Sequence, residues 1–258
     1  MPGSGKSSFI NSMSMAVTGT WHEIAHYSQS DSSVTKCLER YIMFDENCHE
    51  VHEPHPIPDY NNNIIFWDCA GFPDATEEAY STIVYLTLDG RIPSGTNIID
   101  CMDQTPDELR SKFRSRVDHQ MTFDRVVFIL SADKVVPNNL VEAIKSGAQQ
   151  GHDVPIMVVV TKEDKCPNRL HLQKRIEEAL AAFKLTGNQV RFKITSLYCE
   201  ELTPWPDRND YRVMKPNADI DKNLLTIWMS LTDPNIKAKP APPPPTPQPQ
   251  PKSSCVLS

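Results

Sequence analysis

The sequence predicts an α/β domain built on a mostly parallel sheet. After Asp68, strand-like and helix-like segments alternate, which is the order that produces parallel sheets with helices on both faces. Two strand segments, RVVFILS (125–131) and PIMVVVT (155–161), are continuous apolar runs, as expected of strands buried on both faces. With 258 residues, 39% of them hydrophobic, the chain is long enough for one such core in three layers.

Net charge and cysteine usage narrow the function classes. The formal net charge of −7 argues against a broad basic face, so we expect no nucleic-acid partner. The seven cysteines are scattered without a C-x-x-C pair, which indicates a reducing compartment. No apolar run reaches the roughly 18 residues of a membrane span, and no signal peptide is evident. We therefore expect a cytoplasmic protein.

The first half of the chain predicts one helix and two strands. Residues 6–17 suit a helix, and residues 18–38 are polar and rich in serine and threonine, as in a loop. RYIMFD (40–45) and NIIFWD (63–68) are predicted strands, joined by a long polar hairpin. Residues 74–123 are expected to be mostly loop and helix, without a strong strand.

The second half alternates more regularly. A crossover helix capped by Asn138 is expected between the two buried strands. An amphipathic helix (169–185), a strand (190–196) and a last helix with acids in its first turn (218–231) follow. Because ligands of open α/β sheets bind at the carboxyl ends of the strands, we expect the functional motifs there.

The opening residues, MPGSGKSS, contain the second half of a phosphate-binding loop, G-x-x-x-x-G-K-[ST]. Gly5 would turn backbone N–H groups toward a phosphate, Lys6 would reach the β- and γ-phosphate oxygens, and Ser7 would place its hydroxyl on Mg²⁺. The other predicted loop residues are Gly3, Ser4 and Ser8. The first glycine of the motif and its strand would precede Met1. We therefore expect an N-terminally truncated domain that binds nucleotide poorly unless that strand is restored.

The second motif, DCAG, directly follows the predicted strand NIIFWD. Asp68 at the end of that strand can hold Mg²⁺ through water, and Gly71 can offer its backbone N–H to a γ-phosphate. Taken alone, the motif is explained more simply by an aspartate that caps a strand before a turn. Its place after the GKS helix and a second strand favours the functional interpretation.

Two further motifs follow predicted strands and suit a guanine base. In TKED (161–164), Asp164 can accept hydrogen bonds from the N1–H and the exocyclic amine of guanine, whereas adenine presents the wrong pattern. The stem of Lys162 can lie over the base plane. In TSLY, Thr195 and Ser196 can frame the base with hydroxyl and backbone N–H groups. K-x-D also occurs in charged surface turns, so the guanine-binding interpretation depends on the order of the motifs along the chain.

In that order, GKSS, DCAG and TKED resemble three motifs of P-loop GTPases of the translation-factor class. The closer resemblance is to the interferon-induced protein forty-four family, whose GTPase-like domain is related to the dynamin and septin groups. The segments GKSSFINS, IIFWDCAGF, TIVYLTLDGRIPSG, DRVVFIL and MVVVTKEDK run in that family's order. The resemblance covers roughly residues 3–232 and implies a P-loop NTPase fold, with a G domain at 1–234.

The resemblance also implies a set of ligands and roles. GTP and GDP would be the ligands and Mg²⁺ the cofactor, with a nucleotide-dependent oligomer as a further implication. A switch threonine would bind Mg²⁺ and sense the γ-phosphate, and Thr35 matches that position better than Thr18 or Thr20. Lys6 and Thr35 are then the candidate catalytic residues. The implied metal ligands are Ser7, Thr35 and Asp68.

Two positions depart from the GTPase pattern. Many small GTPases have a water-orienting glutamine directly after the DxxG glycine, and this chain has Phe72, which cannot orient water. We therefore expect hydrolysis to be slow or to need another group or a partner. Thr161 stands where the strongest guanine motif has an asparagine that ties this loop to the phosphate loop. Threonine there predicts looser binding or softer base selectivity.

Other interpretations remain open at this point. A non-catalytic prenylated scaffold with a degenerate nucleotide site fits Phe72, and an ATP-using P-loop enzyme fits everything except TKED. A zinc site is conceivable in ENCHEVHEPH, although a solvated loop explains this segment more simply. The candidate zinc ligands there are Cys48, His49, His52 and His55.

The last residues, 235–258, are predicted to be a disordered tail. PAPPPPTPQPQP (240–251) should be extended polyproline II, which serves as a spacer or as a ligand for an SH3- or WW-type domain. The final CVLS is a C-a-a-X box like that of a Ras GTPase, so a prenyltransferase would farnesylate Cys255. One lipid binds membranes weakly, so we expect reversible membrane association.

Overall fold

The structure of the protein is a computed structural model. It describes residues 2–21, 23–25, 35–42, 64–75, 78–115, 123–150, 153–185, 191–199, 202–204, 211–213, 216–233 and 235–236. Its helices are α1 (Lys6–Thr18), α2 (Glu78–Leu88), α3 (Ile99–Met102), α4 (Pro106–Lys112), α5 (Asn138–Gln149), α6 (Arg169–Ala182) and α7 (Ala218–Thr232). Its strands are β1 (Glu39–Ile42), β2 (Ile65–Asp68), β3 (Val126–Ser131), β4 (Ile156–Thr161), β5 (Phe192–Ile194), β6 (Leu202–Pro204) and β7 (Tyr211–Val213).

Strands β3, β4 and β5 form a parallel sheet in that order, which confirms the predicted α/β class. Val126 lies opposite Ile156 in the first pair, and Val158 lies opposite Phe192 in the second. Because β4 is the middle strand and both its faces are covered, its three valines are fully buried. The continuous apolar run of β4 is therefore explained by burial on both faces.

Side chains of this sheet alternate between two cores. Phe128 and Leu130 of β3 pack in a core with residues of α2, α5 and α6. Ile129, which lies between them, and Val159 of β4 pack in a second core with residues of α1 and α7. Successive side chains of a strand point to opposite faces, so helices cover both faces of the sheet. The expected three layers are present.

The described strands do not form the single sheet that the sequence predicts. Strand β2 pairs with β1 in an antiparallel ribbon, with Arg40 opposite Trp67 and Tyr41 opposite Phe66. Among the described strands, no pairing joins this ribbon to β3. A further antiparallel pair, β6 with β7, was not predicted because each strand is only three residues long.

Helix boundaries follow the sequence except at α5 and at the end of α6, which is three residues earlier than predicted. The predicted cap, Asn138, is already the first helical residue, and Pro137 occupies the cap position without a side-chain cap. The Leu140 N–H donates instead to Asp74 Oδ1 at 3.1 Å, so a residue from the loop after β2 satisfies a donor of this helix. Helix α7 has the predicted acids in its first turn, and the Asn217 side chain caps it.

Candidate functional site

The segment before α1 ends in a tight turn at a glycine. Gly5 is the N-cap of α1 and adopts the left-handed conformation, with φ of 86°. This conformation favours glycine, and a Cβ atom here would lie 3.1 Å from Leu197 Cδ1, so that side chain would have to shift slightly. In the described part of the chain no side chain caps this helix, and its first turn contains no acid. An anion is the group that such a helix start attracts.

Side chains from the end of β4 hold this segment in place. Thr161, which is fully buried, donates its hydroxyl to the Ser4 carbonyl at 2.8 Å. Lys162 Nζ donates to the Gly3 carbonyl at 2.8 Å. Threonine therefore makes a contact between the two loops where the strongest guanine motif has asparagine. Looser binding and softer base selectivity stay predictions.

The three predicted metal ligands meet at one point. Ser7 Oγ donates to Asp68 Oδ2 at 2.7 Å, and Thr35 Oγ1 donates to the same oxygen at 3.3 Å. The two hydroxyl oxygens are themselves 3.3 Å apart. Of the other threonines considered, Thr18 bonds to the carbonyls of Ser14 and Thr20 at the far end of α1. Of the candidates, Thr35 is the one that the structure brings to Ser7 and Asp68.

Three separate elements bring this oxygen cluster together. Ser7 is in the first turn of α1, and Asp68 is the last residue of β2, buried to 3% exposure. The segment after Thr35 is fastened to the loop before α3 by backbone hydrogen bonds. Leu38 N–H donates to the Thr96 carbonyl, and Ile98 N–H to the Lys36 carbonyl, both at 2.9 Å. No sequence pattern predicted this contact between loops.

The charges of Lys6 and Asp68 affect the pKa values of two neighbouring side chains, Cys69 and Tyr41. Burial raises the pKa of the Cys69 thiol, Asp68 raises it further, and the positive charge of Lys6 opposes the shift. Burial, together with the charges of Asp68 and Glu39, raises the pKa of Tyr41 to about 12. Lys6 and Asp68 therefore lie close enough to act on the same thiol. An anion at the start of α1 would lie near one cationic side chain, Lys6, and one carboxylate, Asp68.

The predicted base-binding residues are brought less closely together. Lys162 has a left-handed backbone with φ of 57°, and the 3-10 turn Glu163–Lys165 follows it. Asp164 is 43% exposed and pairs with Lys165 at 3.5 Å. Ser196 Oγ contacts Glu163 Oε1 at 3.4 Å rather than Asp164. Thr195 is fully buried, and its hydroxyl donates to the carbonyl of the next residue, Ser196, at 2.7 Å.

The residues after Asp68 are buried. Gly71 and Phe72 are both buried, and the Phe72 ring packs edge-on against Tyr80 with centroids 5.1 Å apart. Phe72 belongs to the core with α2, so the residue directly after the DxxG glycine packs in the protein interior.

Two contacts of the site were not predicted. Lys134, three residues after the end of β3, donates through Nζ to the Pro2 carbonyl at 3.2 Å. Ser12 Oγ accepts from the Tyr198 N–H at 3.0 Å and so links α1 to the loop after β5. The available signal was a lysine three residues after a buried strand, since ligands of such sheets bind at the carboxyl ends of the strands.

Several predictions fall outside the described residues. The candidate zinc ligands from Cys48 to His55, the proline-rich tail and Cys255 are among them, so zinc binding, tail function and farnesylation stay predictions. Within the described ranges, no cluster of three or more His, Cys, Asp or Glu residues could hold a metal. In the same ranges, no helix combines the length and apolar character needed to cross a bilayer.

A cavity of about 690 Å³ lies at the opposite edge of the sheet. It is lined by the start of β4, the last turns of α5 and the residues directly after α6, and carries charges of both signs from Lys145, Asp153 and Arg191. The predicted site residues do not line it. Comparison of the chain with protein families, with curated proteins and with solved structures found no match.

Proposed function

We propose that this chain is a P-loop GTPase-like domain that binds GTP together with Mg²⁺. The observation that carries this proposal is the meeting of Ser7, Thr35 and Asp68 within 2.7–3.3 Å of one another. The three side chains meet beside the first turn of α1, whose N-cap is the left-handed Gly5. A hard-cation ligand set beside an anion-binding helix start suits a metal–phosphate complex.

The chemistry of this ligand set fits magnesium. Mg²⁺ prefers oxygen ligands, is held by few protein groups and keeps several waters or phosphate oxygens. Two hydroxyls and one carboxylate supply such a partial set. When bound, Mg²⁺ would neutralise charge on the β- and γ-phosphate oxygens. The hydrogen bonds that now join Ser7 and Thr35 to Asp68 hold the same three oxygens together before a metal arrives.

Gly5, Lys6 and Gly71, which together with Ser7, Thr35 and Asp68 form the phosphate half of the site, would act on the nucleotide directly. Gly5 and the first amides of α1 would bind phosphate oxygens through N–H groups. Lys6, whose charge already reaches Cys69, would neutralise the β- and γ-phosphates. Gly71, buried in the loop after β2, would sense the γ-phosphate through its N–H. These interactions bind and orient the nucleotide without selecting its base.

The base would be selected at the end of β4. Lys162 spans from its own left-handed backbone to the Gly3 carbonyl, so its stem is extended between the two loops. Asp164 is exposed and can accept two hydrogen bonds from guanine. Adenine would place an acceptor opposite the carboxylate and so leave an unfavourable contact.

Hydrolysis would be slow, because Phe72 is packed against Tyr80 and supplies no polar group. The same observation favours a second candidate function, a scaffold that holds nucleotide without hydrolysing it. Measurement of phosphate release from a pre-formed GTP complex in a single turnover separates the two. Slow release that depends on Mg²⁺ supports the GTPase, whereas intact GTP after prolonged incubation supports the scaffold.

The binding proposal is tested by titrating purified protein with fluorescent GTP and ATP in Mg²⁺ buffer. We expect saturable binding that unlabelled GTP displaces better than ATP, and loss of that binding in Lys6→Ala. Lys112→Ala, an exposed lysine at the end of α4, is the control. Folded wild-type protein without any preference for GTP would rule out the proposal.

A further inference from the structure

Three consecutive backbone carbonyls before α1 each accept a hydrogen bond from a side chain at the carboxyl edge of the sheet. Lys134 Nζ donates to the Pro2 carbonyl at 3.2 Å, and Lys162 Nζ donates to the Gly3 carbonyl at 2.8 Å. Thr161 Oγ1 donates to the Ser4 carbonyl at 2.8 Å. Thr161 is the last residue of β4, Lys162 directly follows it, and Lys134 follows β3. The phosphate loop is thus held from two strands.

The direction of these bonds determines where the loop amides point. In a trans peptide, the C=O and the following N–H point in opposite directions. Carbonyls drawn toward the strand ends therefore turn the N–H groups of Gly3, Ser4 and Gly5 to the other side. No cis peptide occurs in the described residues, so this relation holds at each of these positions. Donors to the carbonyls also polarise each peptide and strengthen its N–H as a donor.

Lys134 is itself held in a fixed turn. Its backbone N–H donates to the Ser131 carbonyl at 3.1 Å, and the Ser131 hydroxyl bonds to Asp133. The Ala132 N–H donates to the Thr161 carbonyl at 2.8 Å, so this turn is fastened to the end of β4. Both lysines therefore extend from one rigid edge toward the same short segment.

We propose that Lys134 is a positioning residue for the phosphate loop. It fixes the peptide between Pro2 and Gly3 and, together with Lys162 and Thr161, orients the amides that bind phosphate. This role rests on the proposed function for its consequence in binding, whereas the ordering of the loop is independent of any ligand. Lys134 does not touch the nucleotide, and its effect passes through the backbone.

The test uses the full chain carrying Lys134→Met, which keeps the length of the side chain and removes its donor. Lys145→Met is the matched control, because Lys145 also donates to a backbone carbonyl, that of Ala182, at 3.2 Å at the opposite edge. Lys134→Arg restores a cationic donor and should rescue. Thermal melting of each variant checks that the fold is kept, and Lys134→Leu, which also lacks a donor, replaces the methionine variant if that variant is unfolded.

The first readout is hydrogen–deuterium exchange of the nucleotide-free protein. We expect Lys134→Met to speed exchange of the amides in residues 3–8 by about fivefold to tenfold, as loss of one hydrogen bond of ordinary strength implies. Lys145→Met should leave those amides unchanged. Unchanged exchange at residues 3–8 in Lys134→Met would overturn the proposal.

The second readout is the affinity for guanosine, GDP and GTP. We expect Lys134→Met to weaken GDP and GTP alike by about fivefold to tenfold and to leave guanosine unaffected, because the loop contacts phosphates only. Equal weakening of guanosine would contradict a phosphate-loop role. If wild-type protein binds no guanine nucleotide while the exchange result stands, the proposed function fails and the positioning of the loop does not.

Discussion

The phosphate half and the base half of the candidate site differ in how firmly the protein holds them. In the phosphate half, Ser7 and Thr35 share the buried Asp68 carboxylate, and Thr161 is fully buried against Ser4. In the base half, Asp164 is 43% exposed and is paired with an exposed neighbour at 3.5 Å. The residues proposed to bind phosphate are therefore already held by hydrogen bonds, whereas the carboxylate proposed to select the base is exposed.

This difference separates affinity from specificity. A group that is buried and already hydrogen-bonded loses little freedom when a ligand arrives, so it contributes mainly to affinity. An exposed carboxylate must give up water before it binds guanine, and its net contribution is smaller. Substitutions in the phosphate half should weaken all nucleotides, and substitutions in the base half should change which nucleotide is preferred.

The largest effect is expected from Asp68→Asn. Asparagine keeps the shape and one acceptor for Ser7 and Thr35, but it removes the charge from the metal ligand set. We expect GTP and ATP affinity in Mg²⁺ to fall by about 10- to 100-fold, as for loss of a charged partner. Calorimetric titration measures this, with the exposed Asp103→Asn as control. An unchanged affinity would show that the charge of Asp68 does not contribute to nucleotide binding.

Asp164→Ala should have a smaller and selective effect. We expect GTP affinity to fall by about tenfold while ATP affinity stays the same, because the lost hydrogen bonds are specific to guanine. Competition of both nucleotides against one labelled GTP analogue measures the ratio. Equal weakening of GTP and ATP would show that Asp164 does not act on the base.

Thr161→Val tests the bond between the two loops with a side chain of equal shape. The Ser4 carbonyl would lose a buried donor, so we expect about fivefold weaker binding of both nucleotides and about 1 kcal/mol lower stability. Chemical denaturation and nucleotide titration on the same samples provide both numbers. A change in base preference without a change in affinity would contradict the assignment of Thr161 to the phosphate half.

The smallest effect on catalysis is expected from Phe72→Gln. The new amide would lie in the core against Tyr80, so it cannot orient a water, and the rate of GTP hydrolysis should stay unchanged. Burying the amide should lower stability by about 2 kcal/mol. Single-turnover phosphate release and thermal melting measure the two effects. Faster hydrolysis would show that this position faces the phosphates.

The sequence predicted best what depends on local pattern. Apolar runs followed by charged residues identified β2, β3 and β4 and the motifs at their ends, because burial on both faces requires continuous apolar sequence. Contacts between distant segments had no such pattern. Asp74 caps α5 from 66 residues away, and Lys134 reaches Pro2 across 132 residues. These contacts follow from packing of the layers and could not be predicted from neighbours in sequence.

The same limit explains the sheet. The hydrophobic pattern identified β1 and β2 as strands, but pairing is set by backbone hydrogen bonds that the pattern does not encode. The two strands form their own antiparallel ribbon in the described residues. Asp68 nevertheless ends β2 beside the start of α1, so the site residues meet although the predicted single sheet is not formed.

The dependence of GTP affinity on Mg²⁺ is the most direct test of whether Ser7, Thr35 and Asp68 bind a metal together with the nucleotide. Ser7→Ala removes one proposed metal ligand, and Ser14→Ala is its control on the same helix, because the Ser14 hydroxyl is buried without a hydrogen-bond partner among the described residues. We predict that Mg²⁺ strengthens GTP binding by wild-type protein and Ser14→Ala, and that Ser7→Ala binds GTP equally with Mg²⁺ or with chelator. If Mg²⁺ strengthened GTP binding equally in all three proteins, Ser7 would not be a ligand of the metal and the proposed site would be contradicted.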